Sequence, residues 1–182
     1  MICCKKIKVF CSFLILFFCI NSSIFSFDNK APDKEIYTQA LSYVRQGDKD
    51  FAFMYFDMLV RVYPNSPFSQ SALFVLGEYY FENKSYREAR DYFSRFLAYY
   101  PDSPAALFVY CYLLDIAKRG QNQDLIEDME ESILTYKQFT LLFSDYSECK
   151  YKSLLNNEYK ALYYIDRVDI YINENLFETV YF

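Results

Sequence analysis

The chain has 182 residues, the size of one domain with or without a targeting segment. Its 20 Tyr and 19 Phe make up 21% of the sequence against 3 Gly and 5 Pro. This excludes a disordered or collagen-like chain and leaves too few turn residues for a sandwich of many short strands. There is no histidine, so Ser-His-Asp and Cys-His catalysis, histidine-ligated zinc and a histidine general base are all excluded. With no nucleophile, metal set or poised carboxylate pair in view, no enzymatic activity and no cofactor are expected.

Residues 1–26 read as a secretory signal segment. Lys5, Lys6 and Lys8 form a basic start, Val9 to Ile20 is an uncharged run, and Asn21 to Ser26 is a small and polar exit, with cleavage expected after Ser26 or Ser23. The apolar run is shorter than the roughly 20 residues a membrane-spanning helix needs. Cys19 stands where a bacterial lipid-anchor cysteine would, although Phe17 and Phe18 fill positions that a lipidation signal keeps small, so an anchored and a soluble form both stay open. Removing the segment leaves 16 basic against 24 acidic residues, a net charge of −8 that disfavours nucleic acid as a partner. Cys3, Cys4, Cys11 and Cys19 leave with the signal. Of the two that remain, Cys111 lies in an apolar run and reads as a small buried hydrophobe, with a bond to Cys149 as the alternative.

From residue 33 the chain repeats itself. Tyr63-Pro64-Asn65-Ser66-Pro67 recurs 37 residues later as Tyr100-Pro101-Asp102-Ser103-Pro104. In each copy the first Pro stops a helix, the Ser can cap the next, and the second Pro suits a first helical position. Between the marks, Leu73, Leu76, Gly77 and Tyr80 share one face of a helix that ends near Lys84. Ser85 to Glu88 has the spacing of a capping box that opens a second helix carrying Ala89, Phe93 and Phe96. Small Gly77 and Ala89 would let the two helices approach closely. Stepping back by 37, Ile36, Ala40, Tyr43, Ala52 and Phe56 occupy the same places, with a turn at Gly47-Asp48. This pattern resembles the tetratricopeptide repeat.

A third unit opens with a helix over 105–119 that Gly120 ends. Asp124 to Glu127 then suggests a cap for a helix running to about Leu142, with the period stretched by an insertion. Residues 147–182 admit two readings. The favoured one is a long helix from about Cys149 to Asn173 followed by a turn and a helical stub, a partial fourth repeat with an unpaired apolar face at 176–182. The other, from the alternating Val168, Ile170 and Ile172, is a hairpin over 167–182 turning at Asn173-Glu174-Asn175. The expected fold is therefore all-α: a signal segment, then a repeat domain over 33–182 with units at about 33–66, 67–103, 104–143 and a partial 147–182.

The run from Glu35 through Tyr63 to Ala72 and on to Phe81, with Ala89 to Leu97, is similar to the BamD family of outer-membrane assembly lipoproteins. The resemblance implies a periplasmic adaptor of tetratricopeptide repeats that docks other subunits of the β-barrel assembly machinery at the outer membrane. Periplasmic repeat proteins of the CpoB type, which coordinate cell-division enzymes, share the same proline mark and give the alternative. In such a solenoid the first helices of the pairs line a groove. Repeat register places Tyr37, Leu41 and Arg45 there from the first pair, Phe74, Glu78 and Phe81 from the second and Phe108 from the third, as candidate anchors for a protein partner. The bland alternative for each aromatic is packing between repeats.

Overall fold

The computed structural model describes residues 31–143 and 148–181, with side chains up to 135 and again from 148. Six helices form three antiparallel pairs: α1 (Pro32–Gln46) with α2 (Lys49–Val62), α3 (Ser69–Glu82) with α4 (Tyr86–Tyr99), and α5 (Ala106–Arg119) with α6 (Gln123–Phe143). The first helices start at 32, 69 and 106 and the second at 49, 86 and 123, so the 37-residue period of the sequence is also the period of the backbone.

Two local devices set that period. Within each pair the chain reverses through one residue in the left-handed region: Gly47 (φ +79°), Lys84 (φ +59°) and Gln121 (φ +53°). Each turn is closed by the same backbone bond, Asp48 N to Tyr43 O, Ser85 N to Tyr80 O and Asn122 N to Ala117 O. Between pairs, the serine of the proline mark reaches back to the previous pair. Ser66 Oγ donates to Asp33 Oδ2 at 2.8 Å, and 37 residues later Ser103 Oγ accepts from Gln70 Nε2 at 2.7 Å. The two marks are thus equivalent tethers between successive pairs as well as helix stops.

Close packing follows from the small residues. A β-carbon placed on Gly77 would lie 2.7 Å from Phe93 Cζ, so α3 and α4 meet with the Phe93 ring laid directly on the glycine. Ala40, one period before Gly77, and Ala52 and Ala89, one period apart, are buried in the same register.

Several expectations are corrected in detail. α3 begins at Ser69, a turn after the second Pro, and Ser66 Oγ accepts from Phe68 N within that turn. Ser85 is the N-cap of α4 by position, but its side chain makes no capping bond, whereas Asp48 does cap α2 through Phe51 N. Gly120 ends α5 in a right-handed conformation, and the left-handed residue is Gln121. Asn122, whose side chain accepts from Leu125 N, caps α6 two residues before Asp124. The turn of the third unit carries no insertion. Its extra length lies in α6, which runs 21 residues where α2 and α4 run 14.

The larger correction is the fold class. Residues 148–181 form a four-stranded antiparallel sheet of order β1-β2-β3-β4, built from β1 (Glu148–Lys152), β2 (Glu158–Tyr163), β3 (Arg167–Ile172) and β4 (Asn175–Tyr181). The protein is a helical repeat with a C-terminal sheet, and the helix expected over 149–173 is absent. The hairpin reading holds for 167–181: Asn173 and Glu174, both at positive φ, form the tight turn whose twist matches the flanking strands. The partner hairpin of β1 and β2 follows the same rule of alternation. Tyr159, Ala161 and Tyr163 point to the helices, and Glu158 and Lys160 point away. Cys111 is buried, with its thiol on Leu107 O, and Cys149 is half-buried; both are free thiols. The signal segment, its cleavage point and Cys19 lie outside the described residues.

Candidate functional site: the face of the first helices

The first helices of the second and third pairs are apolar on almost every side. From Ala72 to Gly77 no residue of α3 is exposed, and α5 is buried from Ala106 to Val109 and from Cys111 to Leu114. A helix that is apolar all round must be covered on more than the side that meets its own pair. Here the cover is the sheet. Tyr151 of β1 sits 5.0 Å from the Phe74 ring and 6.3 Å from Phe108, and Tyr159 of β2 sits 5.5 Å and 5.1 Å from the same two rings. At the other end Phe177 of β4 meets Phe81 and Tyr112 edge-on. Lys118 of α5 closes that end with Glu178 of β4 at 3.0 Å.

Of the seven residues that repeat register assigns to the groove, Phe74, Glu78 and Phe108 are buried beneath the sheet, and Phe81 is half-buried against Tyr86, Tyr112 and Phe177. These four share one face, as the register requires, but they face the chain's own C-terminal strands and are not exposed anchors. Tyr37 stacks on Phe68 at 4.3 Å, and Leu41 packs against the core. Arg45 is exposed, its guanidinium donating to Leu41 O. The first pair therefore contributes Arg45 as the one member of the set in open solvent.

Glu78 is the chemical centre of this face. Its Oε1 accepts from the Tyr159 hydroxyl and, at 2.9 Å, from Asn157 Nδ2. Tyr159 in turn lies 2.8 Å from the Tyr112 hydroxyl, so with its own proton given to Glu78 it accepts from Tyr112. Glu78 Oε2 and the buried Ser153 hydroxyl of the β1–β2 loop make no hydrogen bond of good geometry, but Ser153 is near enough to act on the carboxylate as a donor. Burial lifts the Glu78 carboxyl to about 7, against the pull of donors from Tyr159, Asn157 and Ser153, and the charge of Glu82 adds to the rise. Burial, then the nearby Glu78 charge, raises both Tyr112 and Tyr159 well above the ordinary phenol. Sequence reasoning placed Glu78 on this face but missed Tyr159, Asn157, Tyr112 and Ser153. The signal for Tyr159 was the Tyr-x-Ala-x-Tyr alternation of β2.

Two other surfaces are open. On α2, Phe51, Met54, Met58 and Val62 are each about half exposed and follow one another at helical spacing along one side. On the sheet, a hollow of about 440 Å³ is lined by Lys150, Lys152, Glu158, Lys160 and Tyr171 among others. Its cations are already engaged: Lys150 with Glu148 at 2.6 Å, Lys152 with Glu158 at 2.9 Å and Lys160 over the Tyr171 ring at 5.1 Å. Among the described residues no group of His, Cys, Asp and Glu is arranged to hold a metal ion.

A family model for YfiO, described as an outer membrane lipoprotein, matches residues 29–172. The chain belongs to this family. The match takes in all three helix pairs and the first three strands, so the YfiO family relationship rests on the repeat domain as a whole rather than on its proline marks alone. No curated protein matches the chain. No helix among the described residues is long and apolar enough to cross a membrane.

Proposed function

We propose that this YfiO-family chain is a non-catalytic adaptor, exported to the periplasm and held at the outer membrane, where it docks protein subunits that assemble β-barrels into that membrane. The observation that carries the reading is the family match over 29–172, laid on three helix pairs of constant period. Helix pairs stacked in register give a long rigid surface with side chains presented at fixed intervals, a geometry suited to holding several proteins at once. The absence of histidine from the whole sequence is in keeping with a binding role. With α3 and α5 under the sheet, the partner-facing surfaces are the outer sides of the helices, including the Phe51–Val62 side of α2, and the exposed end of α1 at Arg45.

The test is capture of crosslinked partners from native envelopes through an affinity tag, alongside the level of outer-membrane β-barrel proteins when the chain is depleted. The reading expects assembly subunits in the captured set and a loss of folded barrels on depletion. Recovery of cell-wall or division enzymes with barrel levels unchanged would replace it with the CpoB-type adaptor.

A further inference from the structure

The buried carboxylate between helices and sheet has a composition that suits a reversible contact better than a permanent one. Glu78 is fully buried, and none of the ion pairs among the described residues gives it a cation. The groups that face it are Glu82 from its own helix, Tyr112 from α5, Tyr151 from β1 and Tyr159 from β2, with neutral Asn157 and Ser153 from the β1–β2 loop. Glu82 itself is paired with Lys49 of α2 at 2.7 Å. The Ser153 hydroxyl beside Glu78 serves either state, donating to an ionised carboxylate or accepting from a protonated one, so what favours the proton is full burial without a cation and the neighbouring Glu82 charge. Every polar donor to Glu78 comes from the sheet layer, and the carboxyl itself comes from the helix layer.

We propose that the C-terminal sheet is a proton-latched cover on the aromatic face of α3 and α5, closed while Glu78 holds its proton and loosened as the proton is lost to solvent. The sign follows from linkage. With the sheet in place, burial holds the Glu78 carboxyl at about 7, above the value near 4.5 of a carboxyl open to water. The docked state therefore binds the proton more tightly, and its advantage is complete at acid pH and is lost as pH rises through 7. Release would uncover Phe74, Phe81, Phe108 and Tyr112 together, turning a covered face into an aromatic groove.

Hydrogen exchange of the full chain, corrected for intrinsic rates, tests this. The latch expects β2 and β3 amides to open with a lower free energy than α3 and α4 amides, and their protection to fall about tenfold between pH 6 and pH 9. Glu78→Gln should keep the sheet protected at pH 9 and flatten the profile. Sheet and helix amides sharing one opening free energy, or a Glu78→Gln chain that keeps the wild-type slope, would overturn the proposal. Should Glu78→Gln fail to fold, Asn157→Ala decides. It removes a bond that favours the ionised carboxylate, so the midpoint of the profile must move above 7, and an unmoved midpoint overturns the latch.

Discussion

Gly77 offers the sharpest test of the helix packing, because three glycines of this chain sit in three different physical situations. A β-carbon at Gly77 would fall 2.6 Å from Phe93 Cδ1 and 2.7 Å from Cζ. The ring has little room to retreat, being stacked on Tyr112 at 4.8 Å and set edge-on to Phe74 at 6.2 Å, both buried. Replacing a glycine by alanine in an open helix stabilises by about 1 kcal/mol. Forcing extra carbon into a filled core costs about 1–3 kcal/mol. The second effect should win at this site, leaving Gly77→Ala destabilised by up to about 2 kcal/mol and Gly77→Leu by more. Gly120 is the internal control, since it has right-handed φ and its added β-carbon would meet only ordinary contacts at 3.5 Å and beyond. Gly120→Ala should be neutral or stabilising. Urea unfolding followed by far-ultraviolet circular dichroism measures all three, with the slope checked for constancy. A Gly77→Ala midpoint raised as far as that of Gly120→Ala would refute the packing argument.

Lys84 holds the left-handed turn position that Gly47 fills one period earlier, so Lys84→Gly should stabilise by about 0.5–1 kcal/mol, seen as a raised urea midpoint, and Gly47→Ala should destabilise by a similar amount. Glu174→Gly relieves the same strain in the β3–β4 turn and should also stabilise, read in the same melts. Tyr159→Phe leaves Glu78 and Tyr112 each short of a buried partner, and thermal unfolding should show a loss of about 1–3 kcal/mol with the helical signal kept. Phe74→Ala should cost about 3–5 kcal/mol, the cost of a core phenylalanine, because its ring touches Phe93, Phe96, Tyr151 and Tyr159; a variant as stable as the wild type would mean that the sheet does not rest on α3.

The period was legible in the sequence because it is written in residues whose backbone chemistry is nearly independent of context. Proline stops a helix wherever it stands, and the short polar residues Asp48, Ser85 and Asn122 recur directly after each reversal, before the second helix. Those elements recur at 37 in the sequence and at 37 in the structure, down to the serines that bond Asp33 and Gln70. The close contact at Gly77 was legible for the same reason: a missing side chain has few explanations in the middle of an apolar helix.

The class of the last 34 described residues and the fate of the first-helix face were decided only by tertiary structure. Short apolar runs such as 159–163 carry both helical and strand periodicity, and what selects the strand is a surface to lie on, supplied here by Phe74 and Phe108 some 50 to 85 residues earlier in the chain. Repeat register correctly gathers Phe74, Glu78, Phe81 and Phe108 on one side, but register fixes direction and says nothing of what fills the space in front. An aromatic that anchors a partner and one that receives the chain's own sheet have the same neighbours in sequence. The distinction is made by long-range burial, which put a sheet over those rings and left a carboxylate beneath it.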